Sequence, residues 1–119
     1  MEEADLGKIL TDIRAEYPGL KIYAFDMPEQ VYISSIVVPQ EMRGKGIGSS
    51  IIKRIQDFAR LSGKPVTIRP QAERGYKKNL DRFYKNLGFV DNKGRNKDYK
   101  LSSPFGRTMY WKFKEWLES

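Results

Sequence analysis

Val31-Tyr-Ile-Ser-Ser-Ile-Val-Val-Pro-Gln-Glu-Met-Arg-Gly-Lys-Gly-Ile-Gly48 passes from a β-branched run, through a glycine-rich turn, into helix-like sequence. Val31 to Val38 has the composition of a strand, and Pro39 ends its ladder because it has no N–H to give. Glycines alternate at 44, 46 and 48 where the strand becomes a helix. Glycine tolerates positive φ and lets a ligand approach the backbone closely. The first N–H groups of a helix lack intrahelical partners and carry the positive end of its dipole. The turn therefore suits a phosphate or pyrophosphate, and Arg43 and Lys45 add full charge.

Outward from the turn, the elements alternate in type. Asp5 to Tyr17 spaces Leu6, Ile9, Leu10 and Ile13 as one face of an amphipathic helix, stopped by Pro18-Gly19. Leu20 to Phe25 reads as a strand, joined to Val31–Val38 through a short turn as an antiparallel hairpin. Ile47 to Leu61 places Ile51, Ile52, Ile55, Phe58 and Ala59 on one face of a buried helix, capped by Ser62-Gly63-Lys64. Pro65 to Ile68 is a short buried strand, so strand, helix and strand imply a parallel crossover. Gln71 to Lys78 reads as a charged loop. Asn79 to Leu87 reads as a short helix with Leu80, Phe83, Tyr84 and Leu87 inward. Phe89-Val90 begins a strand, Asp91 to Pro104 is a polar, basic segment that reads as a mobile or a binding loop, and Thr108 to Phe113 is the last strand. The fold class expected is α/β, a mixed and mostly antiparallel central sheet with one parallel strand–helix–strand crossover. Residues 1–119 make one domain.

Composition removes much chemistry. The 119 residues include no cysteine and no histidine. That excludes a disulfide framework, a thiolate nucleophile, a zinc site of the Cys/His kind and Ser-His-Asp catalysis. Proton transfer is left to Tyr, Glu, Asp, Lys, water or backbone. No apolar run is long enough to span a membrane and no leader pattern opens the chain, so a soluble cytoplasmic protein without membrane contact is expected. The net charge of +7 is uneven. Residues 1–41 hold three basic and eight acidic residues, whereas residues 42–119 hold nineteen basic and seven acidic. A phosphorylated ligand accounts for some of that surplus. Lys93, Arg95, Lys97 and Lys100 exceed its needs and suggest an acidic or nucleic-acid-bound partner, with a solvated charged surface as the plainer reading.

The nature of the ligand follows from pattern. Gly44-Lys45 lacks the upstream glycine of a P-loop, and Ser49 stands where a dinucleotide fingerprint needs its third glycine. Arg43, Gly46 and Gly48 do fit Arg-x-x-Gly-x-Gly, which resembles the acyl-CoA signature of the GNAT superfamily of N-acetyltransferases. Phe83-Tyr84-Lys-Asn-Leu87-Gly88-Phe89 is similar to that family's late helix, where a tyrosine precedes a Gly-Phe turn. The resemblance spans roughly residues 20–114. It departs at the N-terminus, where one helix and two strands replace a longer lead-in. That layout is similar to very compact members, some phage-encoded and acting on bacterial defence nucleases.

The resemblance implies acetyl-CoA as cosubstrate. It places the pantetheine arm along the backbone of Ile36, Val37 and Val38, with their side chains in the core. The pyrophosphate falls to Met42, Arg43, Gly44, Lys45, Gly46, Ile47, Gly48 and Ser49. Tyr84 becomes the general acid for the leaving thiolate, although its helical spacing with Leu80 and Leu87, taken alone, fits a core residue better. The family's glutamate base matches Gln30, which cannot serve, and neither Glu29, Glu41 nor Glu73 replaces it convincingly. Direct attack by the amine with a water relay is therefore expected. The acceptor is a protein lysine, a protein N-terminus or a small amine, and homodimerisation is compatible with the family. A non-catalytic module binding CoA or nucleic acid is the alternative.

Overall fold

Helix α1 (Leu6–Glu16) starts where Asp5 accepts the Lys8 N–H at 2.7 Å, an N-cap that satisfies one orphan donor. Its buried residues are Leu6, Leu10 and Ile13. The computed structural model describes residues 5–70, 77–101 and 107–113. Strands β1 (Lys21–Asp26) and β2 (Val31–Val37) form an antiparallel hairpin, with a register shift between Tyr23 and Ala24. Helix α2 (Ile47–Ser62) follows the glycine turn and ends at Gly63, whose φ of +73 turns the chain off the helix axis. Then come β3 (Val66–Ile68), α3 (Lys77–Asn86), β4 (Val90–Asp91) and β5 (Met109–Trp111).

The five strands lie in the order β1-β2-β3-β5-β4. The β2–β3 pair is parallel and the other pairs are antiparallel, which is the expected mixed sheet with its crossover through α2. Register sets the faces. Val31 pairs with Val66 and Ile33 with Ile68, and those residues pair in turn with Trp111 and Met109. With Ile22, they bury against Ile13, Ile51, Ile52 and Ile55 in one continuous core. The opposite face carries Phe25, Tyr32, Thr67, Tyr110 and Val90 as one row across the sheet. Among the described residues, no helix is long and apolar enough to cross a membrane.

The structure redraws several boundaries, and the last strand, expected over Thr108 to Phe113, runs only from Met109 to Trp111. Lys77 and Lys78, expected in a loop, belong to α3, and the rest of that loop lies outside the described residues. The strand expected from Phe89 starts one residue later and is only two residues long, because the Phe89 N–H donates to the Tyr84 carbonyl at 3.1 Å where α3 ends. The segment expected to be a mobile or a binding loop contains two short 3-10 turns, Gly94–Asn96 and Tyr99–Leu101. Its remainder, 102–106, lies outside the described residues.

Helix α3 is held in place from three sides. Gln56 of α2 donates to the Leu87 carbonyl at 2.9 Å. Arg107 binds Asp91 through two hydrogen bonds and reaches Asp81 on α3 at 2.7 Å. Gly88, at φ +95, brings the chain so close to Trp111 that an added Cβ would lie 2.9 Å from its ring. Only glycine fits there, which is why Gly88 separates α3 from β4.

Candidate active site

The parallel pairing of β2 with β3 stops early. After Ile33 and Ile68, one more bond forms, from the Arg69 N–H to the Ile33 carbonyl at 3.3 Å. Beyond it the strands part. Ser35, Ile36 and Val37 stay paired to β1 on one side, and their other side faces a gap. Helix α3 closes the far wall of the gap with Leu80, Phe83 and Tyr84, and the start of α2 closes its end. The result is a largely apolar groove of about 830 Å³, within the usual range for a ligand site.

Every residue expected to hold the cofactor lines this groove except Lys45, which is exposed outside it. The expectation that Ile36, Val37 and Val38 all fill the core needs correction. Ile36 and Val38 pack partly against it, but Val37 is 45% exposed, because alternate residues of a strand point to opposite faces. In the turn, Gly44 and Gly46 take φ values of +80 and +75, with open space where a Cβ would stand. Helix α2 makes its first intrahelical bond from the Ser50 N–H to the Gly46 carbonyl. The N–H groups of Ile47, Gly48 and Ser49 thus remain unused at the helix end. Arg43 braces the turn, since its Nε donates to the Val38 carbonyl at 3.0 Å. Gly48 abuts α3, where a Cβ would meet Phe83 at 3.4 Å and Val38 at 3.6 Å. Free amides, an open left-handed turn and an apolar trench together fit a pyrophosphate with a long, mainly apolar arm.

Tyr84 lies in the groove wall and is only 3% exposed. Edge-on rings of Phe83 and Phe89, with centroids at 5.1 and 5.7 Å, fix its orientation. Burial pushes its phenol well above the ordinary tyrosine range, so the hydroxyl stays protonated at any physiological pH. Among the described residues that hydroxyl has no hydrogen-bond partner.

No carboxylate lines the groove among the described residues. Gln30 is engaged elsewhere, its side-chain oxygen accepting a hydrogen bond from the Thr67 hydroxyl. Glu29 and Glu41 are exposed outside the groove, and Glu73 lies outside the described residues. Sequence reasoning missed Ser35, Arg69 and Asn79 as lining residues. A signal for Arg69 existed, because it follows directly on a parallel strand, and ligands gather beyond the carboxyl ends of such strands.

Comparison with known proteins agrees with this geometry. The family described as Acetyltransferase (GNAT) domain matches residues 5–91, nearly three-quarters of the chain. The fold is shared with a structure of the anti-CRISPR protein AcrVA5, at 27% identity and a TM-score of 0.59 over 79% of this chain and 90% of that one. It is shared with Ard1 from Thermoplasma volcanium, at 21% identity and a TM-score of 0.54 over 92% and 80% of the two chains. It is also shared with Arabidopsis thaliana Naa50 bound to the bisubstrate analogue CoA-Ac-MVNAL, at 20% identity and a TM-score of 0.56 over 79% and 64%. No curated protein sequence matches it. A strand pair that opens beside an Arg-x-x-Gly-x-Gly turn, together with the family match, places the chain in the GNAT family of acetyltransferases. It is an acetyl-CoA-dependent N-acetyltransferase.

Proposed function

We infer that the chain acetylates an amine presented by another protein, a lysine side chain or an N-terminus, by direct attack with Tyr84 as general acid. The observation that carries this reading is the charge of the groove. Its described lining holds Arg43 and Arg69 and no carboxylate. A small polycationic amine needs carboxylates to hold it, whereas a protein brings its own docking surface and inserts one amine. Naa50, which shares the fold, binds a bisubstrate analogue with a peptide part and so supports a peptide or protein acceptor, and the basic C-terminal half favours a partner that is acidic or bound to nucleic acid.

Acetyl-CoA supplies the activated acyl group. The amides of Ile47, Gly48 and Ser49 hold its pyrophosphate, and the unpaired edge of β2 from Ser35 to Val38 aligns its arm. One N–H on that edge receives the carbonyl oxygen as negative charge develops there. The neutral amine nitrogen bonds to the acyl carbon, the C–S bond breaks, and Tyr84 gives its proton to the departing sulfur. The new ammonium loses a proton to water, and Tyr84 regains one from solvent. With no carboxylate among the described residues of the groove, the amine must arrive neutral. A free lysine with a pKa of about 10.4 then makes kcat/KM rise about tenfold per pH unit through the neutral range.

Tyr84→Phe keeps the ring packing and removes only the hydroxyl. Thiol release from acetyl-CoA with a lysine peptide should slow by about 10- to 1000-fold, while CoA affinity by calorimetry stays near wild type. Wild-type turnover in that variant would remove Tyr84 from the reaction. The acceptor itself is found by incubating the enzyme with labelled acetyl-CoA and host lysate and identifying the labelled protein.

A further inference from the structure

The groove employs Arg43 and Arg69 and leaves most of the chain's positive charge without a role. Lys93, Arg95, Lys97 and Lys100 all stand exposed on the segment that follows β4. Two features separate this segment from an ordinary charged turn.

Its backbone is held in shape. The buried Asn92 donates from Nδ2 to the Asp98 carbonyl at 3.0 Å and accepts the Asp98 N–H at 2.7 Å. The Tyr110 hydroxyl donates to the Asn96 carbonyl at 2.6 Å. Asp98, the one carboxylate among residues 92–101, is bound by the Lys112 ammonium at 3.0 Å and by the Lys100 N–H. Those bonds hold its carboxyl below the usual range, so it is spent on the scaffold and does not neutralise the outer cations.

The second feature is an aromatic ring in water. Tyr99 is 83% exposed, with the Lys97 ammonium 5.5 Å from its ring centroid. Cations spaced along a held backbone with an exposed ring among them are the parts a single-stranded nucleic acid requires. The charges follow successive phosphates and the ring stacks on a base. An acidic protein surface would use the charges and leave the ring idle.

We propose that residues 92–101 form a binding site for single-stranded nucleic acid, with Lys93, Arg95, Lys97 and Lys100 on phosphates and Tyr99 stacked on a base. The site is separate from the acetyl-transfer groove and does not depend on the identity of the amine acceptor. It lies beyond the span matched by the acetyltransferase family, which ends at Asp91.

The test is fluorescence anisotropy of a labelled single-stranded oligothymidylate of about 12 nucleotides, titrated with the full chain at several salt concentrations. Four phosphate contacts predict that log affinity falls against log salt with a slope of about three. Replacing the four cations with serine should weaken binding at least about tenfold and flatten the slope. Tyr99→Ala should weaken it by about 5- to 100-fold and leave the slope unchanged, whereas Tyr99→Phe should bind as wild type. Acetylation of a small model amine should stay at the wild-type rate in all three variants, which shows that the fold survives. Equal binding by the four-serine variant overturns the proposal. So does wild-type binding by Tyr99→Ala combined with full displacement of the oligonucleotide by polyglutamate, the behaviour of a site for acidic proteins.

Discussion

Val31 and Ile33, in the first half of β2, are fully buried, whereas Val37, four residues beyond Ile33, is 45% exposed. The first half pairs with β1 on one side and β3 on the other. The second half keeps only β1. One strand of similar composition thus supplies both the centre of the core and the open wall of the groove. Two things change between the halves: the register with β1 slips opposite Tyr23 and Ala24, which turns Val37 to the other face, and the β3 pairing stops at the bond from Arg69 to Ile33. A strand that loses one neighbour exposes a row of N–H and C=O groups, normally a liability. Here that row faces a trench whose far wall is α3, where an extended ligand can meet it.

Three measurements probe that contrast, from the largest expected effect to the smallest. Ile33→Ala removes a fully buried side chain at the last paired position. It should cost about 2–5 kcal/mol in urea unfolding, a large share of the stability of a domain this size. A cost below 1 kcal/mol would mean that the first half of β2 is not the rigid base on which the groove rests.

Gly46→Asp acts on the second region alone. Aspartate tolerates the left-handed conformation better than most residues, and nothing stands within 4 Å of its Cβ position, so the fold should persist. Its carboxylate would face the pyrophosphate, and repulsion at partly buried separations of 4–8 Å weakens CoA binding by about 2–4 kcal/mol. Gly46→Asn, equal in shape and uncharged, should retain most of the affinity. Calorimetry with CoA separates the two, and equal losses would point to backbone strain instead of charge.

The smallest effect concerns the clamp that holds α3 opposite β2. Hydrogen bonds from Arg107, opposed by some burial, hold the Asp91 carboxyl below the usual range. A folded pKa below the unfolded value adds stability that is complete above the ordinary carboxylate value of about 3.9 and fades as pH falls through the lower folded value. Unfolding free energy should therefore drop below about pH 4, and Arg107→Gln should reduce that drop while costing about 1 kcal/mol at neutral pH. An unchanged acid profile in Arg107→Gln would show that other carboxylates set it.

Much of this was legible before any coordinates. The apolar spacing of Leu6, Leu10 and Ile13 and of Ile51, Ile52 and Ile55 marks helix faces, because a helix repeats every 3.6 residues whatever it packs against. Pro39, Gly46, Gly63 and Gly88 mark turns because each solves a local backbone problem. The glycine turn was legible for the same reason, whereas Tyr84 stood out only through the likeness of residues 83–89 to the family's late helix.

What escaped the sequence depends on contacts between distant segments. Arg69 enters the groove because β3 ends beside Ile33, which is 36 positions earlier. Arg107 joins Asp81 and Asp91 through a sheet order that places β5 between β3 and β4. Asn92 and Asp98 turn a basic, glycine-containing stretch into a held loop by two hydrogen bonds that composition cannot reveal. Val37 has the parity of Val31 and Ile33 but points to the other face, because the register with β1 slips opposite Tyr23 and Ala24, and a strand's own residues do not record such a slip. Local backbone preference and hydrophobic period were written along the chain, whereas the groove, its unpaired strand edge and the charges that face it were decided by tertiary packing, because each needs two or more segments brought together in space.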